Sequence, residues 1–386
     1  MRDRLTILFT NIWLDNYAGT EVVIRDLAVG MMARGHRPIV YAPTLGAVAR
    51  ELVAKGVAVI DDLRALAEAP DIIHAHHAVP GGEALIRFPD VPAINVCHAF
   101  AHWVEAPVHF PQIGAYVAID EACRDRLVHM HGIDPACVMV LPNAVDLKRI
   151  PARPRPLPER PRRAVVFGKA SSVTQEIRSA CKALSIDTEG IGYEVGNVTG
   201  HPEKELVGFD LVFGSCRSAL EALCCGCAVV ACDARGLAGL VTSENFATLR
   251  EKNFGLRAFA APVTADRVVE NVRRYDRADA QAVSARAREE GDLERLLDAV
   301  ERLYGEVRCG SRKPSITKAA HDAAVSRFLH DYLPRHPRDS VYPWPRGSEV
   351  DARHHFALLE LTALKRSRLL KLGRWMRKVA GLPSPY

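Results

Sequence analysis

The sequence predicts an α/β protein built from two doubly wound domains, and three observations predict it. Short apolar runs alternate with helix-period segments over the first 120 residues. Residues 151–163, PARPRPLPERPRR, then break the alternation with five prolines. A fresh apolar run opens at residue 164, and a strand–turn–helix–turn–strand unit occupies residues 208–231. Alternating strands and helices force a parallel sheet with crossover helices.

The elements follow in order. Residues 5–9 read as a strand, 21–34 as a helix with apolar residues at helical spacing that Gly35 stops, and 38–41 as a second buried strand. Residues 47–55 read as a helix, and 57–60, 71–74, 93–97 and 115–119 as further strands. Five prolines without apolar periodicity cannot extend a sheet, so 151–163 reads as a stiff linker. Beyond it, 164–167 and 211–213 are strands and 293–307 is a helix whose apolar residues recur at three and four. The expected division is a domain over 1–150, the linker 151–163, a domain over 164–309 and an extension over 310–386. At 386 residues and 48% hydrophobic content, the chain can fill two cores of roughly 150 residues each.

Composition excludes several classes. No apolar run approaches the roughly 18 residues of a membrane span, and no signal-peptide pattern opens the chain, so a cytoplasmic protein is expected. Ten cysteines scattered through core-like positions read as reduced thiols, with Cys224, Cys225 and Cys227 as small buried fillers. From Gly310 onward there are 15 Lys and Arg against 6 Asp and Glu, so the preceding 309 residues are net acidic although the chain carries +5. A helix over 352–379 places Leu358, Leu361, Leu364, Leu372, Trp375 and Met376 broadly on one side and Arg366, Lys371, Arg374, Arg377 and Lys378 on the other. Such a helix fits either the inner membrane surface or a packing site on the first domain. Nucleic acid is not an expected partner, because no aromatic-interleaved basic patch accompanies it.

The unit at 208–231 carries the chemistry. A buried strand delivers the chain to Gly214-Ser215, and the N–H groups opening the next helix form an anion site. Glu221 falls two turns into that helix, where a carboxylate gains nothing from the helix dipole and suits the paired hydroxyls of a ribose. The segment suits a nucleotide diphosphate. A dinucleotide dehydrogenase is disfavoured, since TNIWLDNYAGTEVV at 10–23 lacks G-x-G-x-x-G. Upstream, DIIHAHH at 71–77 places His74 and His76 on one side of a strand end, a spacing that also suits metal ligands, though no further ligand is evident.

Pro142, Asn143, Val145 and Asp146, followed by Glu221, Ala222, Gly226, Val229 and Val230, resemble the paired motifs of family 4 glycosyltransferases of the GT-B fold. The resemblance spans roughly the first 305 residues. It implies two Rossmann-like domains facing each other across a cleft, closing helices that often cross back to the first domain, and a basic helical extension outside the likeness. It also implies transfer of a sugar from a nucleotide-diphosphate sugar to a glycan, lipid-linked or other small acceptor. A retaining enzyme of cell-surface polysaccharide or glycoconjugate synthesis, peripheral on the inner membrane face, is expected, with no cofactor and no bound metal. Glu221 would hold the ribose, while Gly168, Lys169, Ser171, Ser172, Gly214, Ser215, Arg217 and Ser218 would surround the diphosphate. Gly19 and Thr20 would form the loop near donor or acceptor, unless Thr20 is a plain helix N-cap. His98, after the strand at 93–97, would reach the transferred sugar, unless it is a satisfied polar residue at a strand end. An inverting enzyme would need a base, for which Asp15, His76 and Glu105 are the acceptor-side candidates.

Two departures stand out. The family's second basic residue is replaced near Ser172, so that Ser171, Ser172 or Arg217 must substitute. The first of its two glutamates is replaced by Phe213, and the loop from Asp210 to Glu221 is shortened. A nucleotide-sugar epimerase of the same fold and a non-catalytic, partner-binding member remain as alternatives.

Overall fold

The computed structural model describes residues 4–168, 173–192, 197 and 199–332. The first sheet has seven parallel strands: β1 (Thr6–Thr10), β2 (Arg37–Tyr41), β3 (Ala58–Ile60), β4 (Ile72–His76), β5 (Ala93–Cys97), β6 (Ile113–Ala118) and β7 (Val138–Val140). Their order is β3-β2-β1-β4-β5-β6-β7. Chain direction across the sheet reverses between β1 and β4, which makes the C-terminal ends of those two strands a natural ligand crevice. β4 runs two residues further than the sequence pattern indicated and takes His74 and His76 into the sheet. α1 (Gly19–Ala33) and α2 (Ala47–Ala54) cover one face, and α3 (Ala78–Arg87) covers the other.

The second sheet is built from β8 (Arg163–Phe167), β9 (Asp187–Ile191), β10 (Leu211–Gly214), β11 (Ala228–Asp233) and β12 (Gly236–Leu240). Its order is β9-β8-β10-β11-β12, with only β12 antiparallel, so the reversal lies between β8 and β10. α4 (Thr174–Ala183) packs on one face, while α5 (Cys216–Cys224) and α6 (Arg277–Glu290) pack on the other. The linker contributes Leu157, buried in the second core. Cys224, Cys225 and Cys227 are free thiols inside that core, and burial raises all three.

α7 (Leu293–Cys309), which the sequence pattern placed at the close of the second domain, packs on the first. Leu293, Leu297, Val300, Leu303, Tyr304 and Val307 join the core of α1, β1 and β4. Amphipathic periodicity fixes which helix face is buried but not which sheet it covers. Gly30 permits the approach, because a methyl group there would lie 2.6 Å from Leu297 Cδ1. Arg34 locks the pair by reaching Glu294, Asp298 and Glu301 at 2.6, 2.7 and 2.9 Å. At the crossing point the two interdomain passages touch. Val145 N–H donates to Gly291 O (2.8 Å), and Leu293 N–H donates to Val145 O (3.0 Å).

α8 (Lys318–Tyr332) follows and lies on α3, with the Phe328 ring against Gly82 and a hydrogen bond of 3.2 Å between His321 Nε2 and Leu85 O. The amphipathic helix expected over 352–379 lies outside the described residues. Among those described, no helix is long and apolar enough to cross a membrane.

If α7 belongs to the first core, Leu297→Ala removes a fully buried side chain from it. The expected loss is about 2–5 kcal/mol in urea unfolding. Hydrogen exchange should rise first on α1 and β1 and leave β8 and β10 protected.

Candidate functional site

The two strand ends at the second sheet's reversal come close together. Gly168, at φ 95°, lies where a Cβ would sit 2.8 Å from Ser218 Oγ, and a Cβ on Gly214 would sit 2.9 Å from Phe167 O. Neither position accepts a side chain without displacing its neighbour. Gly168, Gly214 and Ser218 therefore converge, whereas Lys169, Ser171 and Ser172 lie outside the described residues. Cys216 opens α5 in a left-handed conformation (φ 51°), and its N–H donates to Phe254 O at 3.2 Å. Of the N–H groups opening this helix, the first is therefore taken by the turn at Asn253-Phe254. Ser215 is also engaged, donating from Oγ to Asp233 Oδ2 at 2.7 Å. Asp233 in turn receives Arg235, through its backbone N–H (2.8 Å) and Nε (3.0 Å). Arg235 lies over the Phe259 ring at 5.4 Å and keeps 32% of its side chain exposed.

Arg217 does not stand in the crevice as a loose cation, which corrects its expected place beside the diphosphate. It is buried and pairs with Asp26 of α1 across the cleft. It also donates from Nη1 to Ala144 O at 2.9 Å and from Nε to Glu221 Oε1 at 3.1 Å. Arg149 Nη2 reaches the same Glu221 oxygen at 3.3 Å, and Arg149 also pairs with Glu203. Arg25 pairs with Asp26 at 2.8 Å. Three guanidinium groups thus face three carboxylates in a buried cluster drawn from both domains. Burial would raise the Asp26 carboxyl, yet Arg217 and Arg25 hold it below the usual carboxylate range.

Opposite, the first sheet presents histidines at its own reversal. His74 and His76 stack at 4.6 Å, His76 and His98 at 4.8 Å, and His76 Nδ1 shares a 2.6 Å hydrogen bond with His98 Nε2. Tyr304 of α7 closes the row on His74 Nδ1 at 2.6 Å. Burial lowers all three histidines, His74 to about 3, so they are neutral near pH 7. Arg217, from the second domain, contributes to the lowering of His98. Glu105 braces the row, accepting from the His98 backbone N–H at 2.8 Å and lying 3.3 Å from His77 Nε2. His77 Nδ1 accepts from Ile12 N–H, so its proton sits on Nε2 and points at Glu105. Burial pushes the Glu105 carboxyl up, but the hydrogen bonds from His77 and from the His98 backbone, with the two imidazoles beside it, bring it down to about 2.

His76, His98 and Glu105 are therefore brought together, while Asp15 is half-buried and close enough to raise Glu21. His76 and Glu105 are buried, leaving His98 as the half-buried member of the row. A carboxyl held at about 2 is a poor proton acceptor near neutrality, so Glu105 acts here as a brace. α1 starts at Gly19 with Ala18 as its N-cap, and Thr20 donates its hydroxyl to Glu21 at 2.9 Å, so Thr20 is not the cap. Open space surrounds Gly19. Phe213 is packed in the core on one face of the second sheet, so the shortened loop has no side chain at the family's first glutamate position that could face the crevice. Sequence reasoning missed Asp26, Arg149, Asp233 and Arg235. One signal was available: Arg25 and Asp26 interrupt the apolar helix VVIRDLAV, where unpaired charges would be costly.

Two measurements follow from this geometry. Asp26→Asn takes a buried carboxylate partner from both Arg217 and Arg25 and is expected to cost about 3–5 kcal/mol in denaturant unfolding. Glu105 is depressed, so its contribution is fully present above the unfolded value of 4.5 and is lost as pH falls toward 2. In Glu105→Gln, urea unfolding should lose about 3 kcal/mol of pH dependence over that window.

Comparison with known proteins agrees with this architecture. The family model described as Glycosyltransferase Family 4 matches residues 17–149. No curated protein matches the chain by sequence. A glycosyltransferase of Rickettsia africae superposes with a TM-score of 0.56 at 12% identity, covering 79% of this chain and 99% of its own. HepE of Anabaena, solved in complex with UDP-glucose, superposes with a TM-score of 0.57 at 13% identity, covering 79% of this chain and 99% of its own. A putative UDP-N-acetylglucosamine 2-epimerase of Listeria monocytogenes gives 0.51 at 12% identity over 81% and 98%. Two parallel sheets with facing crevices, a match to the family model across the first, and these superpositions make the chain a GT-B fold protein resembling the family 4 glycosyltransferases.

Proposed function

We propose that the protein is a glycosyltransferase that moves a sugar from a nucleotide-diphosphate sugar to a glycan, lipid-linked or other small acceptor. The observation that carries this reading is the position of α5. It starts at the reversal of the second sheet, carries Glu221 in its second turn, and is tied through Arg217 to Asp26 of the first domain. The domain assignment adopted is donor on 164–290 and acceptor on 1–150, with α7 added to the acceptor side.

Glu221 Oε1 is pinned by Arg217 and Arg149, and Oε2 accepts from the ribose hydroxyls. The diphosphate lies along Gly168, Gly214 and Ser218, with Lys169, Ser171 and Ser172 beside it. Arg235, aimed by Asp233 and still partly exposed, takes the place of the family's second cation. A neutral His98 accepts a hydrogen bond from a hydroxyl of the transferred sugar. The reaction retains configuration, the leaving phosphate takes the acceptor proton, and no metal is required. The surplus of cations after residue 310 favours a place on the anionic inner membrane surface in cell-surface polysaccharide or glycoconjugate synthesis.

Thermal unfolding against a panel of nucleoside diphosphates and nucleotide sugars tests the donor site. A matching nucleotide at a hundred times its Kd should raise Tm by on the order of 5 °C. Glu221→Ala should abolish the shift. Arg235→Gln should weaken the diphosphate by roughly tenfold while sparing the nucleoside, since a hydrogen bond to a charged group contributes about 1.5–3 kcal/mol. A C2-inverted sugar nucleotide formed without acceptor would replace the transferase by an epimerase. No shift with any nucleotide would point to a partner-binding subunit.

A further inference from the structure

A cavity of about 120 Å³ lies between the segment 106–109 and α8, sharing no lining residue with either crevice, with room for a small polyatomic group. The segment continues directly from Glu105 in the loop that follows β5. His109, His131, Arg327, Asp331 and Tyr332 supply its polar lining, and Phe328 its floor. The side chains of His109, His131 and Arg327 have no hydrogen-bonded or ion-paired partner among the described residues. Behind the cavity, Arg126 is buried and donates to the carbonyls of Ala99 and His102, while its Nε makes no hydrogen bond. One guanidinium, that of Arg327, and two imidazoles therefore line one small space, with the charge of Arg126 near His131, and Asp331 is the one carboxylate among the described lining residues.

We propose that this cavity binds a phosphate group, held by Arg327, His109 and His131, with Asp331 accepting from the phosphate O–H or a neighbouring hydroxyl. Donors arrive from three separate segments of the chain, which suits a tetrahedral oxyanion better than a planar carboxylate. The site lies on the acceptor-side domain and involves none of the groups assigned to the donor, so it stands whether or not the transferase reading does.

The empty site is set to take up protons with its ligand. Burial lowers His109 and His131, the latter to about 4, and Arg327 and Arg126 respectively lower them further; Asp331 raises His109 only in part. A bound anion opposes both effects and favours the imidazolium forms. Since the anion raises these histidines, its binding is strengthened at low pH and weakened as pH rises.

The test is a titration of the full chain with inorganic phosphate, followed through the imidazole resonances of His109 and His131. His109→Gln and His131→Gln assign them. Both resonances should move with a single saturating curve, tighter at pH 5.5 than at pH 8. Arg327→Gln, an exposed position with no fold role, should weaken binding about tenfold, the loss expected of one charge-assisted contact. Methyl phosphate forms the second arm: tighter binding than inorganic phosphate supports an ester carried by a larger ligand, and weaker binding supports a free ion. Resonances that stay still with both, or that respond equally in Arg327→Gln, overturn the proposal.

Discussion

The arrangement depends on one guanidinium. Arg217 joins Asp26 of the first domain to Glu221 of the second and borrows the carbonyl of Ala144 at the passage between them. A charge this deeply buried is costly unless its partners are in place, and two of the three lie outside its own domain. The cluster is satisfied only when the domains are closed as seen here. The orientation of Glu221 is therefore a property of both domains, although its helix belongs to one. The same charge helps keep His98 neutral on the opposite wall, so the two faces of the cleft are electrostatically aware of each other.

Around this clamp the two crevices solve the same problem with different chemistry. The second sheet reaches its reversal point with glycines, leaving backbone and small hydroxyls at the surface, with the charges of Asp233 and Arg235, among the described residues, just behind. The first sheet reaches its own reversal point with stacked histidines, kept uncharged by burial and held in place by one ionised carboxylate, Glu105. A crevice lined with backbone and cations suits a polyanion, and one lined with neutral imidazoles suits hydroxyl groups.

Much of this was legible in the sequence because buried parallel strands are written as continuous apolar runs. The strand at 93–97 was bounded to the residue, and those at 164–167 and 211–213 within one. Glu221 stood out because a carboxylate two turns into a buried helix needs a purpose. His76, His98 and Glu105 could be named separately, but their contact could not, since it is made between neighbouring strands and a loop. Asp26 and Arg149 stayed hidden for a related reason: their partners are 191 and 72 residues away. Thr20 shows the limit of local rules, since its hydroxyl turned to Glu21 and left the cap to Ala18. The helix at 293–309 was recognised by its period, but periodicity carries no address, and only the family resemblance hinted that it crosses back to the first sheet.

That helix also fixes the order in which the molecule can be completed. The first core contains Leu297, Leu303, Tyr304 and Val307, so a chain leaving the ribosome has made every strand of the first sheet long before it owns the layer that covers it. The second domain, whose sheet and helices end at residue 290, has all its parts first. Synthesis from the N-terminus ordinarily lets the leading domain fold first. Here the leading domain must wait with α1 and β1 partly uncovered until the trailing one has emerged, and a helix made after the second domain seals the first to be made.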